Sequence, residues 1–290
     1  MAVSADSAAA AEARFLQHEV LSCVPRVLLF PHFASDAECA ALAALAAGRP
    51  DAWCDGGDGA PREYSFCFLR PLERYFNDVV RRVEARVAAA TGVAPHAGED
   101  PLKLSRHLPA GAAHAPLLNL HHDANGARPR RVATLILYLS DVRGGGTFFP
   151  CATRAPAGAP SCDDSAEAVR EGQPGALCEA LRKLHASGVC MLPAAPDAAG
   201  TEAEQAALAG ASALCARLAA EQDASGEPWV AGADGGLLVA PRRGAALLFW
   251  SVQPPLGAVL AGEAWHGAAA VLVGEKLAAQ KFKEAPPDER

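Results

Sequence analysis

The feature that most constrains the fold is a series of short apolar segments between Leu102 and Phe282. KLSRHL, RVATLILYLSDV, GLLVAP, GAALLFWS, EAWHGAAAVLVG and KLAAQKF have the length and composition of β-strands, and turns that contain Gly or Pro separate them. Strands that follow one another with few intervening helices predict a sandwich or a barrel. We therefore expect a mainly β fold with flanking helices (α+β).

Helical patterns come earlier in the chain. Residues 24–101 predict an α/β lead-in, in which VPRVLLF and EYSFCFL form strands. The segment SDAECAALAALAA predicts a helix that begins with a capping box of Ser35 and Glu38. A longer helix is expected from about Leu72 to Thr91, because its apolar residues fall at helical intervals and Gly92 supplies an end.

These patterns predict a single domain over residues 24–290, preceded by a tail or short helix over residues 1–23. The β core is expected over residues 102–283. It is interrupted at residues 151–235 by a segment rich in Ala, Gly, Pro and acidic residues, which we expect to be an insertion, a lid or a disordered loop. Helical patches of this segment lie near Ala176–His185 and Glu202–Glu221.

Composition excludes several classes of function. The formal net charge of -7, without a basic stripe, gives the chain no electrostatic reason to bind a phosphate backbone, so nucleic acid is not an expected partner. No segment has the roughly 18 consecutive apolar residues of a membrane helix, and the N-terminus lacks the pattern of a signal peptide. We therefore expect no membrane segment and a cytoplasmic location. The nine cysteines form no CxxC pair, so zinc spacing is absent.

The sequence LNLHHDANG contains a possible metal-binding pattern. In an extended strand, residues i and i+2 face the same way, so His121 and Asp123 can bind one metal ion while His122 points elsewhere. An isolated H-x-D also arises by chance, and a polar turn before a strand is an alternative explanation. His114, in the preceding loop, has no carboxylate at ligand spacing and is expected to be exposed.

The order of the segments around this motif points to a family. RRVATLILYLSDV, GGGTFFP, PRRGAALLFWS and WHGAAAVLVGEK follow it, and PRVLLFPHFASDAECAALAALA precedes it. This order resembles the prolyl 4-hydroxylase family of iron(II)- and 2-oxoglutarate-dependent dioxygenases, in its plant, algal and collagen-type branch. The resemblance covers most of residues 24–283 outside the insertion. It implies a double-stranded β-helix (jelly-roll) core, which we expect to carry helices on one side.

The resemblance also implies the site residues. His121, Asp123 and His266 would be the iron ligands, and two imidazoles with one carboxylate leave positions open for 2-oxoglutarate and O₂. Lys276, ten residues after His266, would bind the distal carboxylate of 2-oxoglutarate. Further candidates for holding this cosubstrate are Tyr138 and His107.

The implied activity is 4-hydroxylation of prolyl residues in a peptide or protein, with release of succinate and CO₂. The implied cofactors are Fe(II), with 2-oxoglutarate and O₂ as cosubstrates, and ascorbate, which would keep the iron reduced. Two alternatives remain open. One is a 2-oxoglutarate oxygenase that acts on another side chain or on a small molecule. The other is a non-catalytic binding module with a degenerate site.

Some positions depart from the family pattern or need explanation. His107 replaces the tyrosine of an Arg-Tyr pair before H-x-D, and a histidine changes its charge near neutral pH. The insertion is longer than the family usually carries. A hairpin that turned at Gly274 would hold His266 and Lys276 well apart. The assignment of both residues to one site therefore follows from the resemblance and not from strand geometry.

The strand RVATLILY and the glycines after it provide further residues near the site. Arg131, Thr134 and Tyr138 are expected to line the pocket by the strand period. Gly144 and Gly145 suit a tight turn close to the site, although a simple turn between strands explains them equally well.

Overall fold

The computed structural model describes residues 12–48, 53–55, 64–109, 116–124, 131–155, 162, 175–193, 200–252 and 262–285. Its strands are β1 Glu19–Cys23, β2 Arg26–Phe30, β3 Cys54–Asp55, β4 Tyr64–Phe68, β5 Lys103–His107, β6 Leu117–His121, β7 Arg131–Tyr138, β8 Arg143–Gly144, β9 Thr147–Phe149, β10 Met191–Pro193, β11 Trp229–Ala231, β12 Leu237–Val239, β13 Ala246–Trp250, β14 His266–Ala269, β15 Val271–Val273 and β16 Lys276–Glu284. Its α-helices are α1 Asp36–Ala47, α2 Glu73–Phe76, α3 Asp78–Thr91, α4 Ala176–Ala186 and α5 Glu202–Ser225, and a 3-10 turn spans Arg14–Leu16.

Two antiparallel sheets form the body of the described structure. The large sheet has the order β1-β2-β13-β7-β16-β5-β4-β3, and the small sheet has the order β10-β6-β14-β9-β12-β11. From β5 onward the chain passes repeatedly between them: β5, β7, β13 and β16 lie in the large sheet, and β6, β9, β12 and β14 lie in the small one. This strand order is that of a double-stranded β-helix, so the predicted mainly β jelly-roll fold is confirmed.

Because side chains alternate along a strand, each sheet packs against one hydrophobic core between the sheets and against another on its outer face. In β16, Ala278 packs between the sheets with Ile136 and Phe249, whereas the next residue, Ala279, packs on the outer face with Leu104. The inner core is aliphatic and aromatic near the middle of the sheets, and it becomes polar toward one end. That polar end holds the candidate site.

Helices cover the outer faces of both sheets, which corrects the expectation of helices on one side. α1 and α3 pack on the large sheet, where Leu42 and Val83 join one core with Leu135. α4 and α5 pack on the small sheet, where Leu181 and Leu218 join another core with residues of β6 and β14. Both sheets expose an apolar outer face that must be buried, so each requires its own cover.

The lead-in differs from prediction in one helix. The capping box of α1 forms as expected, with Ser35 Oγ accepting from the backbone N–H of Glu38 at 3.3 Å. The helix expected from Leu72 to Thr91 is broken at Asn77, whose side chain caps α3 by accepting from two backbone N–H groups. Phe76, one of the apolar residues at helical intervals in the expected helix, is 82% exposed. Gly92 ends α3 with a positive φ of 69°, as predicted.

The N-terminal segment and the segment over residues 151–235 both contribute strands to the sheets. Residues 19–23, expected within a tail or helix, form β1 at the edge of the large sheet. The segment over residues 151–235 contributes β10 and β11 to the small sheet, besides α4 and α5. Its described parts are thus built into the fold, and residues 156–161, 163–174 and 194–199 lie outside the description. No helix in the described part of the chain is both long and apolar enough to cross a membrane.

Candidate metal centre and active site

The three predicted metal ligands meet at the polar end of the small sheet. His121 ends β6 and His266 begins β14, and the two residues are paired across these strands. Asp123 follows two positions after His121. Its Oδ1 is 3.7 Å from Nε2 of His121, and its Oδ2 is 3.5 Å from Nε2 of His266. One ligand atom from each residue lies within 4.8 Å of the other two, which is a separation that one ion can bridge.

The protonation of this group suits a divalent metal ion. Nδ1 of His266 donates to the carbonyl oxygen of Ala264 at 3.0 Å, which leaves the lone pair on Nε2 free to bind a metal. Burial, and after it the neighbouring imidazole, lowers the pKa of His121 to about 3. Burial alone would raise the pKa of Asp123, but the two imidazoles and a hydrogen bond lower it. Two imidazoles and a carboxylate are the donor set of non-haem Fe(II) oxygenases, so the residues present fit Fe(II).

Strand β7 of the opposite sheet orients Asp123. Thr134 Oγ1 donates to Oδ2 of Asp123 at 2.5 Å, and Nη1 of Arg131 lies 4.0 Å from Oδ1. The strand period does not explain this arrangement, because Arg131 and Thr134 are three positions apart. Instead, the register of β7 against β16 shifts so that Val132 has no partner, and this bulge turns Arg131 to the inner face.

Lys276 lies on the wall opposite the two histidines, at the start of β16. Its Nζ donates to the carbonyl oxygen of Gly145 at 2.6 Å and lies 5.6 Å from the ring centre of Tyr138. The side chain is buried, and burial lowers its pKa to about 8. Gly145 has a φ of 70°, and a Cβ on it would come within 3.3 Å of Cδ of Lys276, so glycine leaves room for the lysine. A buried ammonium that donates to a neutral carbonyl suits a carboxylate ligand.

His107 and Tyr138 lie beside Lys276 on the inner face. His107 pairs with Lys276 across β5 and β16, and its ring centre is 4.7 Å from that of Tyr64. Burial, and after it the charge of nearby lysines, lowers the pKa of His107 well below its usual range. This direction runs against the expectation that the charge of His107 changes near neutral pH. The hydroxyl of Tyr138 shares a 2.8 Å hydrogen bond with Thr147, so it already has a partner within the protein.

His122 points away from the ligand set, as the strand alternation predicts. Its ring stacks on His185 of α4, with ring centres 4.2 Å apart, and meets the edge of Trp265. Trp265 in turn donates from Nε1 to the carbonyl oxygen of Leu181 at 3.1 Å. Helix α4 therefore braces the strands that carry the two ligand histidines. His114 lies outside the described residues.

Two residues of the inner face, Tyr64 and Lys103, were not predicted from the sequence. Tyr64 of β4 pairs with His107 of β5 and faces the same space. Burial, and after it the charge of Asp123, raises the pKa of Tyr64. Burial lowers the pKa of Lys103, at the start of β5, to about 8, and Asp123 opposes this shift. The alternation in EYSFCFL and KLSRHL predicts which residues share a face, but only the packed structure decides which face lies inside.

Comparisons with known proteins match the chain to prolyl 4-hydroxylases. No protein-family model matches the chain. It is 34% identical to Probable prolyl 4-hydroxylase 7 of Arabidopsis thaliana over 137 residues, which is 45% of this chain and 43% of that protein. It is 26% identical to Probable prolyl 4-hydroxylase 3 of the same plant over 276 residues, which is 91% of this chain and 71% of that protein.

The chain spans about half the length of the curated relatives that it matches at 30% identity or more. Among solved structures, a viral collagen prolyl hydroxylase from Paramecium bursaria Chlorella virus-1, in complex with 2-oxoglutarate, is 16% identical. That comparison covers 90% of this chain and 96% of the viral chain, with a TM-score of 0.44. The sequence matches show that this chain is a relative of the plant prolyl 4-hydroxylases.

Proposed function

We propose that the chain is an Fe(II)- and 2-oxoglutarate-dependent dioxygenase that hydroxylates prolyl residues of a peptide or protein at C4. The observation that carries this proposal is the meeting of His121, Asp123 and His266 on one wall, opposite the buried Lys276 on the other. The relationship to plant prolyl 4-hydroxylases supports the same activity. We further propose that residues 24–290 act as one dioxygenase domain.

In this proposal, His121, Asp123 and His266 would hold the iron. When bound, Fe(II) together with 2-oxoglutarate and O₂ would supply the oxidising chemistry that turns a prolyl C–H bond into an alcohol and yields succinate and CO₂, and ascorbate would keep the iron reduced. Lys276 would bind the distal carboxylate of 2-oxoglutarate, because a dicarboxylate neutralises an ammonium for which the described residues provide no counter-ion. Tyr138 and His107 flank this lysine and would confine the cosubstrate.

Other residues of the chain would keep the ligands in place and the site dry. The hydrogen bond from Thr134 fixes one oxygen of Asp123, and the bond to Ala264 fixes the ring of His266. The rings of Phe249 and Phe149 lie 4.4 and 5.8 Å from that of His266, measured between centres. These apolar contacts exclude water from one side of the ligand set.

The proposal is tested by anaerobic titration of the metal-free protein with Fe(II) and then 2-oxoglutarate, followed in the visible spectrum. We expect a weak metal-to-ligand charge-transfer band that His266→Ala abolishes. The matched control is His18→Ala, which removes an exposed imidazole before β1 and should leave the band intact. Succinate formation with proline-rich peptides is measured in parallel, and it should be lost in His121→Ala, Asp123→Ala and His266→Ala.

The absence of a band from folded protein would contradict the proposal and favour a binding module. Turnover that persists in all three ligand variants would disprove the ligand assignment. If the band forms and small molecules stimulate the decarboxylation of 2-oxoglutarate but prolyl peptides do not, the alternative substrate class would be favoured. The cytoplasmic location is a separate proposal from the sequence, which immunolocalisation of the native protein would test.

A further inference from the structure

We propose that Lys103 is a specificity-determining residue that receives a carboxylate of the substrate next to the position that is hydroxylated. The inference deepens the proposed function and rests on it. Lys103 begins β5, faces the inner core side of the large sheet, and pairs with Gln280 of β16 and Phe68 of β4.

The surroundings of Lys103 hold its ammonium without neutralising it. Nζ lies 4.6, 5.5 and 5.9 Å from the ring centres of Phe66, Tyr64 and Phe282. Within the described residues it has no hydrogen bond and no ion pair. Ring faces attract a cation and fix its position, but they carry no compensating charge. A partly buried ammonium in such a setting is stabilised when an anion binds.

The neighbouring Arg131 shows the contrast. Its guanidinium lies 3.1 Å from a carboxylate oxygen of Asp100 and 4.0 Å from oxygens of Asp123 and Glu284. This arginine is therefore already surrounded by carboxylates of the chain. Lys103 has no such partner in the described structure, so an incoming anion would bind the lysine without displacing an existing pair.

The position of Lys103 separates it from the proposed 2-oxoglutarate site. By register, Lys276 pairs with His107 and Gln280 pairs with Lys103, so the two lysines lie four strand positions apart. At about 3.3 Å per residue this is roughly 13 Å along the sheet. Arg131, which lies 4.0 Å from Asp123, stacks on the ring of Phe282 at 3.7 Å, and Lys103 lies 5.9 Å from the centre of that ring. Lys103 is thus connected through Phe282 and Arg131 to the side of the site that holds Asp123, and it lies away from Lys276.

The ligand chemistry implied is a single carboxylate beside an apolar group, because one ammonium is framed by three aromatic rings. Two sources fit: an Asp or Glu side chain next to the target proline, or the α-carboxylate of a C-terminal or free proline. Both place a negative charge within a few bonds of the pyrrolidine ring.

The test measures binding and turnover with the full chain and five probes. The probes are a proline peptide with Glu beside the proline, the same peptide with Gln, a peptide that ends in proline with a free or amidated C-terminus, and free proline. Calorimetry gives the dissociation constants without any need for turnover. For wild-type protein we expect the carboxylate-bearing member of a pair to bind about tenfold or more tightly, with the difference in KM and not in kcat.

Variants assign that preference to the lysine. Lys103→Gln should abolish it, Lys103→Arg should retain it, and Lys103→Glu should favour a peptide with Lys in place of Glu. Lys183→Gln, which removes an exposed lysine of α4, is the matched control and should leave the preference unchanged. The Glu/Gln pair and the free/amidated pair distinguish the two sources of the carboxylate.

Equal binding of charged and neutral probes by the wild type, including no binding of either, would overturn the inference. So would an equal preference in wild type and Lys103→Gln. The charge-transfer band and succinate formation are independent of this comparison. Their loss would count against the proposed function, whereas their presence without charge discrimination would count against Lys103 alone.

Discussion

Lys276 is buried opposite the metal ligands and donates to a neutral carbonyl. Truncation by Lys276→Ala would remove one partner of a buried charge pair with the cosubstrate, worth roughly 3–5 kcal/mol. We expect the affinity for 2-oxoglutarate to fall about a hundredfold or more, at about 1.4 kcal/mol per factor of ten. Titration of the charge-transfer band with 2-oxoglutarate measures this. An unchanged affinity would show that another residue binds the distal carboxylate.

The same lysine predicts a pH dependence of cosubstrate binding. Only the protonated amine attracts a carboxylate, and burial lowers the pKa of Lys276 to about 8 in the ligand-free protein. As pH rises above 8, the affinity for 2-oxoglutarate should fall about tenfold per unit. Lys276→Arg should remove this fall, because a guanidinium stays charged. A flat profile for the wild type above pH 8 would contradict the prediction.

Thr134 supports the metal site without binding the ion. Its hydroxyl donates to Asp123 at 2.5 Å, and removal of a group that orients a ligand typically lowers metal affinity about 10- to 100-fold. We expect that loss for Thr134→Val in an anaerobic Fe(II) titration. Thr134→Ser keeps the hydroxyl and should bind iron nearly as well as the wild type. Equal weakening by both variants would point to packing instead of the hydrogen bond.

At the scale of elements, Glu38 joins α1 to α3. It completes the capping box of α1 and accepts two hydrogen bonds, of 2.9 and 3.0 Å, from the guanidinium of Arg86. Although burial opposes the shift, these bonds lower the pKa of Glu38 to about 2. Because the folded pKa is depressed, the stabilisation is present above about pH 4.5 and is lost as pH falls toward 2.

Glu38→Gln should therefore lower the free energy of unfolding by about 3 kcal/mol near neutral pH, and the difference should shrink below about pH 4.5. Urea unfolding at several pH values measures it. Asp78→Asn, in the same helix pair, removes an exposed ion pair with Arg81 and should change the free energy of unfolding by less than about 1 kcal/mol. Equal effects of the two variants would contradict this account.

Elements also show why local patterns succeed or fail. The capping box of α1 was predictable because Ser35 and Glu38 interact within one helical turn. The break at Asn77 was missed because the apolar spacing continued through it. An Asn side chain can cap the start of a new helix, and this interaction competes with the backbone hydrogen bonds that would continue the preceding helix. In this chain Asn77 caps α3, and Phe76 is left exposed.

At the scale of the whole molecule, a buried charge network connects the large sheet to the lead-in. Lys281 and Lys283 project from the outer face of β16, and both contact Glu99 in the segment before β5. Lys281 also lies 3.5 Å from Glu84 of α3. All four side chains are buried, so each charge depends on the others.

Glu99→Gln should leave two buried lysines short of a counter-charge and lower the free energy of unfolding by about 3–5 kcal/mol. Thermal and urea unfolding measure this loss. Asp223→Asn removes an exposed pair with Arg143 at 3.1 Å and is the matched control, with an expected change of less than about 1 kcal/mol. A small effect of Glu99→Gln would mean that the lysines are neutralised in another way.

The sequence by itself determined the properties that act over a few residues. Strand alternation placed His121 and Asp123 on one side and His122 on the other. The apolar segments predicted a sandwich or a barrel, and the resemblance to a family implied the jelly-roll. Only the tertiary structure decided which strands joined which sheet. It put His266 and Lys276 on opposite walls instead of in one hairpin, and a bulge turned Arg131 inward. The physical reason is that local periodicity fixes which side chains share a face. Long-range pairing and burial decide which face lies inside and what it meets, as for Tyr64 and Lys103.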